Sequence, residues 1–293
     1  MITNNNNTPD IMLDVLDDDV RHDVGASDYS ATSLVQAPQM LQLKKRYGHQ
    51  IVDDAMDRWY LFVGNAMHEY IEKNLRKKPE KYLVEHKLTE FIGDRKVVAI
   101  PDVYDLENDV LYDHKSTTSY SWNDEPNDEY VQQLNINAWF LRKNGKEPKK
   151  AALNMMTKDW SAGMAKFKGP EDYPPNPMWE QEVPLWSEED QKKFIDARLE
   201  LHKSCEGLTD EQLPPCTEEE MWAKPNTYAV KKRGVYVAKR VLPTLHEAED
   251  WMALSKIPDL YIEERKGERT RCEKYCRVNK FCKQYQKYLE DSK

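Results

Sequence analysis

The stretch Ile100 to Thr118, IPDVYDLENDVLYDHKSTT, reads as two short strands joined by a tight acidic turn. A four-residue loop at Leu106-Glu107-Asn108-Asp109 pairs Asp105 with Val110 and, three residues further out, Asp102 with Asp113. Directly opposed residues of an antiparallel pair hold their Cβ atoms about 5 Å apart. Two carboxylates at that spacing repel each other unless a cation stands between them. Lys115 is two residues past Asp113 and shares its face. The register gathers two carboxylates and one ammonium on a small patch, suited to a hard metal ion and a phosphate. A plain meander with solvated acids is the alternative. Against it, IPD and LYD each place an acid after apolar residues at a strand end, where a cleft can form.

The flanking chain alternates helices and strands. From Asp53 to Leu75, Met56, Tyr60, Val63, Met67, Tyr70 and Ile71 recur at helical steps and make one apolar face. Gly64 in that helix suits a close packing contact, and His68 follows one turn later. Three strands are expected over Lys81–Leu88, Val97–Asp105 and Val110–His114, with Glu85 on the first and a turn at Gly93-Asp94. Asp128–Lys143 reads as a helix with Gln133 and Asn137 one turn apart beside its apolar face. Ala151–Thr157 reads as a strand. A further strand precedes a helix that Ser187 caps and Gly207 ends. Ser33–Gln50 is helical in pattern, YAVKKRGVYVAKRVLPT reads as a hairpin around Arg233-Gly234, and HEAEDWMALS as a helix.

At 293 residues the chain suffices for one large domain or two small ones. No apolar run approaches the length of a membrane span. The start, MITNNNNTPD, has neither a basic region nor an apolar core, so it reads as no secretory signal and the expected location is the cytoplasm. The net charge of −9 argues mildly against a nucleic-acid binder, but it is unevenly spread. Residues 1–30 hold seven Asp against one Arg, whereas residues 264–293 hold ten Lys and Arg against five acids. Residues 1–30 read as a disordered acidic tail, with a local helix around Ile11–Val20 as an alternative.

In an intracellular chain, five cysteines are better metal ligands or free thiols than disulfides. Cys272, Cys276 and Cys282 are spaced C-x3-C-x5-C. Three thiolates so close can reach one centre, and zinc and iron–sulfur clusters commonly take four ligands. Cys216, behind Pro214-Pro215, is the candidate for the fourth. Cys205, inside a helical pattern, is the other choice and reads better as a buried or free thiol. Such a site would staple the C-terminal segment, and its binding energy would add to folding energy. Spacing alone does not separate zinc from iron. Interleaved Lys274, Arg277, Lys280 and Lys283 with Tyr275, Phe281 and Tyr285 also suit contact with nucleic acid.

The ordered set resembles RecB-like nucleases of the PD-(D/E)XK superfamily, in the AddB-like branch that carries a four-cysteine iron–sulfur staple. It is also similar to phage recombination exonucleases. GNAMHEYIE resembles the family's metal-binding histidine helix, at His68. IPDVYD matches the motif whose acid binds metal, at Asp102, and YDHK matches (D/E)-x-K, at Asp113 and Lys115. YVQQLNINAW resembles the Q-x3-Y helix, with Gln133 in the Gln position and Asn137 where Tyr is usual. Glu85 resembles an upstream strand acid of some members. Many members have their first cluster cysteine near the N-terminus, and Cys216 would substitute for it here.

The resemblance implies an α/β, restriction-endonuclease-like core, a central mixed sheet flanked by helices, over residues 31–205. A C-terminal cysteine-stapled extension would cover 206–293. It implies a DNA exonuclease of recombination, repair or replication, phage-encoded in some members and then active in the host cytoplasm. Asp102 and Asp113, with His68, Glu85 and the His114 carbonyl, would hold Mg²⁺ or Mn²⁺. Lys115 would position or activate the attacking water, and Gln133 would orient substrate or Lys115. Cys216, Cys272, Cys276 and Cys282 would hold a 4Fe-4S cluster, with zinc as the alternative. The implied partners are DNA, as linear ends or single strands, and a single-strand annealing protein or a helicase, with no membrane. Two other readings remain open: a non-cleaving DNA-binding or assembly protein on the same fold, and a cluster-based redox sensor.

Overall fold

The hairpin forms with the expected register. In this computed structural model, which describes residues 2–16, 26–122 and 125–291, Tyr104 pairs with Leu111 and Asp105 with Val110. Val103 pairs with Tyr112, and Asp102 stands just ahead of the paired ladder. Asp105 builds the turn, because its buried carboxylate accepts from the Glu107 and Asn108 backbone N–H groups at 2.9 and 3.1 Å. Residues 17–25 of the expected acidic tail, with the end of its alternative helix, and residues 123–124 lie outside the described residues.

In chain order the elements are β1 (Ile2–Thr3), α1 (Asp10–Leu16), β2 (Tyr29–Ser30), α2 (Ala31–Val35), α3 (Pro38–Tyr47), β3 (Asp53–Asp54), α4 (Ala55–Leu75), β4 (Tyr82–Val84), β5 (Leu88–Ile92), β6 (Arg95–Ala99), β7 (Val103–Asp105) and β8 (Val110–Thr117). There follow α5 (Asp128–Lys143), β9 (Lys150–Thr157), α6 (Ala162–Lys168), β10 (Met178–Val183), α7 (Glu188–Ser204), β11 (Thr227–Lys232), β12 (Arg240–Leu242), α8 (Leu245–Leu254), β13 (Leu260–Arg265), α9 (Thr270–Lys274) and α10 (Lys283–Asp291). Three segments expected to be continuous are broken. The helical stretch 33–50 divides at Ala37-Pro38, where proline biases the preceding residue away from helix. The strand expected over 97–105 divides at Pro101, which has no N–H for a ladder. The strand expected over 81–88 divides at Glu85, whose φ is +49°.

The chain forms two units, 1–36 with 52–204, and 37–51 with 205–293. The first is a mixed α/β fold with its central sheet in the order β10-β9-β8-β7-β4. β8 and β9 run parallel and the other neighbours antiparallel. A second sheet, β2-β6-β5, lies in the same unit. α5 packs against β5, β6 and β8 and is itself covered by α2 and α7. Its residues Val131 and Leu134–Leu141 are therefore buried all round. Asn135 survives there because its amide is satisfied, by Val131 O, Pro184 O, Trp186 N and Gln191 Nε2. α4 lies against β8 where a Cβ on Gly64 would stand 3.4 Å from Ser116 Oγ.

The second unit has a three-stranded sheet, β12-β11-β13, with α8 packed on it. Its other part is an apolar cluster of Leu43, Cys205, Leu213, Val278 and Cys282. Tyr47 stacks on Phe281 with ring centroids 4.5 Å apart, and its hydroxyl donates to Asp210 at 2.6 Å. Among the described residues, no helix is long and apolar enough to cross a membrane.

Candidate active site

The functional groups converge at the end of the hairpin from several parts of the first unit. Asp102, just ahead of β7, accepts the His114 backbone N–H on Oδ2 at 2.7 Å. His68, from α4, directs Nε2 to the His114 carbonyl oxygen at 2.9 Å. A carbonyl only accepts, so Nε2 carries the hydrogen, which leaves Nδ1 as the ring atom that could ligate a metal. That Nδ1 faces Asp102 Oδ2 at 3.7 Å. Glu85 joins them because its left-handed backbone turns the chain and lets its N–H donate to the Asp102 carbonyl oxygen at 3.0 Å. Such a conformation in a non-glycine residue costs on the order of 1–3 kcal/mol and persists only where its surroundings impose it. His68, Glu85 and Asp102 each offer a ligand atom within 4.8 Å of the others.

Asp113 and Lys115 form the adjoining pair. Lys115 Nζ stands 2.6 Å from Asp113 Oδ2, and Asp113 is almost wholly buried. The Tyr130 ring, from α5, lies 4.8 Å from the same ammonium. Burial opposes the charge on Lys115, but the Asp113 and Asp102 carboxylates outweigh it and hold its pKa above the usual lysine value. Burial, and then the Asp113 charge, push the Asp102 carboxyl well above the usual range, against the pull of Lys115 and the His114 N–H. Burial followed by the Glu72 charge raises Glu85 to about 7. Both shifts favour the protonated forms of Asp102 and Glu85, and a cation bound there would compete with those protons.

A cavity of about 170 Å³ opens on this group, lined by Glu85, Asp102, Asp113, Lys115, Gln133 and Asn137, with Thr32 of α2 on its wall. Gln133 is therefore at the site. Asn137 is 1% exposed, and its Oδ1 has no hydrogen-bond partner among the described residues. The His114 ring meets the His68 ring edge-on, centroids 5.6 Å apart, with Nδ1 3.2 Å from Asn154 Nδ2, and burial, followed by the His68 charge, lowers its pKa to about 4. Its backbone holds both His68 and Asp102. Tyr130 escaped the sequence reading. Its signal was its place one helical turn ahead of Gln133, on the side of α5 that meets Lys115.

The cysteines form a second constellation, within the second unit. Cys216, Cys272, Cys276 and Cys282 line one small pocket with Gln39, while Cys205 is wholly buried in the apolar cluster and does not line it. Gln284 holds the Cys216 loop in place, accepting from Cys216 N at 2.9 Å and donating to Cys216 O at 3.0 Å. Sγ of Cys216 and of Cys282 both meet Gln39 Oε1, at 3.4 and 3.5 Å. Burial, and then neighbouring charges that include the other thiols, push Cys216 up to about 12 and Cys272 up to about 11. Thiols facing one another with raised pKa values are poor nucleophiles, and a metal centre would deprotonate them. Gln39 was not foreseen, because it lies 177 residues from Cys216 in the chain.

No protein-family model matches the chain, and no curated protein is significantly similar to it. Several solved structures resemble it in part. SSO0001 superposes with a TM-score of 0.44 at 16% identity, over 66% of this chain and 85% of that one. An alkaline exonuclease from Laribacter hongkongensis gives 0.38 at 11%, over 60% and 87%. A phage-related exonuclease from Haemophilus somnus 129PT gives 0.31 at 14%, over 50% and 70%.

Proposed function

We propose that the chain is a divalent-metal-dependent deoxyribonuclease of the RecB-like PD-(D/E)XK type, acting on DNA in recombination, repair or replication. The observation that carries this reading is the sharing of one cavity by the acids Glu85, Asp102 and Asp113 and the ammonium of Lys115, with His68 beside Asp102. Buried acids around a buried lysine are costly as a structural device. They suit a site that takes up a hard cation and an anionic substrate.

His68, Glu85 and Asp102 would hold Mg²⁺ or Mn²⁺, with Asp113 beside them, and the imidazole nitrogen favours Mn²⁺. The bound metal would supply Lewis acidity to the scissile phosphate and lower the pKa of a water. Lys115 meets the negative charge that develops on the phosphate and orients the attacking water, while Asp113 fixes the position of its ammonium. Tyr130 limits where that ammonium can swing. Gln133 and Asn137 present amides to the substrate from α5. On α4, Tyr60 stands two turns before His68 with Lys158 Nζ 4.8 Å from its ring, a flank suited to a DNA strand.

The four cysteines would hold a metal centre in the second unit. A tetrahedral zinc with Zn–S bonds of about 2.3 Å brings its sulfurs within about 4 Å of one another. The four cysteines lining one pocket suit a four-ligand centre, a 4Fe-4S cluster or zinc. A single-strand annealing protein or a helicase would be the protein partner, in the cytoplasm.

The deciding experiment incubates linear and circular DNA with and without Mn²⁺ or Mg²⁺, beside Asp113→Ala. Metal-dependent loss of linear DNA alone indicates an exonuclease. No cleavage of any substrate would favour the second reading, a DNA-binding protein on the same fold, for which Asn137 in place of the usual tyrosine speaks.

A further inference from the structure

The β11–β12 hairpin ends in a loop, 233–239, that is braced at its base and bare at its tip. Val235 N donates to Lys232 O at 3.0 Å, Lys239 N to Val230 O at 2.8 Å, and Arg233 N to Asp259 O at 3.0 Å. Gly234, with φ +76°, makes the turn. Beyond these anchors stand Val235, Tyr236 and Val237, with Tyr236 97% exposed. Lys232, Arg233, Lys239 and Arg240 surround them. Lys231 pairs with Glu263 at 2.9 Å, but among the described residues none of those four has a carboxylate within 4.0 Å. A chain of net charge −9 thus concentrates four uncompensated cations around one unsupported aromatic ring.

Scattered exposed apolar residues need no explanation. Here the backbone is held so that the ring stands clear of the protein, with two cations before it and two after it in the loop and its flanking strands. A base stacking on an aromatic ring gains about 1–3 kcal/mol, and the flanking phosphates would meet the cations. A base inside a duplex offers no free face. We propose that this hairpin tip is a second DNA-binding element that stacks Tyr236 on an unpaired base of a single strand or frayed end. Lys232, Arg233, Lys239 and Arg240 hold the adjoining phosphates.

The test is binding, by fluorescence anisotropy, of the full chain to a 20-nucleotide single strand and to a blunt duplex, in EDTA so that no cleavage occurs. Tyr236→Ala is expected to weaken single-strand binding about tenfold or more and duplex binding far less. Tyr236→Trp restores it. A 2-aminopurine in the strand is quenched by the wild-type protein and by Tyr236→Trp, but not by Tyr236→Ala. Lys232→Gln with Arg233→Gln is expected to lower the salt slope of log K by about 1.4, at about 0.7 for each phosphate no longer neutralised. Equal affinity of the wild type and Tyr236→Ala for the single strand would overturn the proposal. So would loss of binding confined to anionic phosphatidylserine vesicles, which would make the tip a membrane contact. Because the readout is metal-free binding, failure of the nuclease reading leaves the result unaffected.

Discussion

The carboxylate of Asp102 accepts the backbone N–H of His114 at 2.7 Å. That bond spans the hairpin and aims one oxygen of Asp102 at His68, whose Nε2 is held by the carbonyl of the same His114. One peptide residue thereby orients two candidate metal ligands. In Asp102→Asn the amide oxygen still accepts this bond, so the thermal melt should change little. Calorimetric Mn²⁺ binding should weaken by at least tenfold, and cleavage should be lost.

Lys115 and Asp113 share charge in a buried pair. Lys115→Met removes the ammonium and leaves the Asp113 carboxylate without its partner. Cleavage should fall by at least three orders of magnitude while Mn²⁺ still binds. Tyr130→Leu, which removes the ring over Lys115, should slow cleavage about fivefold to tenfold, in keeping with a partly desolvated cation–π contact. Tyr130→Phe, which keeps the ring, should not.

Glu85 has a folded pKa of about 7 against 4.5 for an ordinary glutamate. The native state therefore binds the extra proton between those values, and stability is full below about 4.5 and falls as pH rises through 7. Asp102, also raised, acts in the same direction. His114, lowered to about 4, acts the opposite way below about 6.5, so the Glu85 contribution is read as the difference in pH slope between wild type and Glu85→Gln melts in EDTA. Mn²⁺ affinity should move the other way, rising with pH through 7 as the competing proton leaves.

Cys216→Ala should abolish bound iron and the visible absorption of the purified protein, and Cys205→Ala should leave both intact. Iron analysis and absorbance near 400 nm distinguish the two. Stoichiometric zinc in the wild type would replace the cluster assignment.

Gly267 is fixed by its neighbours. A Cβ there would fall 2.0 Å from the Lys224 carbonyl oxygen, a backbone atom that cannot swing aside. Gly267→Ala should lower the melting temperature of the second unit by several degrees while metal binding by His68, Glu85 and Asp102 is retained.

Local periodicity and turn chemistry determined much of this protein from the chain alone. A four-residue acidic turn sets the hairpin register, and that register puts Asp102 against Asp113 with Lys115 alongside. The helix of Gln133 appears with its expected bounds, 128–143, and α4 forms around His68, although Met56, Tyr60 and Tyr70 of its expected apolar face are exposed. Three things rested on tertiary structure. Glu85 reaches His68 and Asp102 only because its left-handed backbone breaks the strand there, a choice imposed by the Asp102 carbonyl and not by strand alternation. Cys216 lies with the C-terminal cysteines, and Cys205 in apolar packing, because Gln284 and Gln39 anchor the former from distant positions. Residues 37–51 join the C-terminal segment, leaving the first unit they sit within by sequence. Periods of 2 and 3.6 residues are written locally, and contacts between separate elements leave no such trace in sequence.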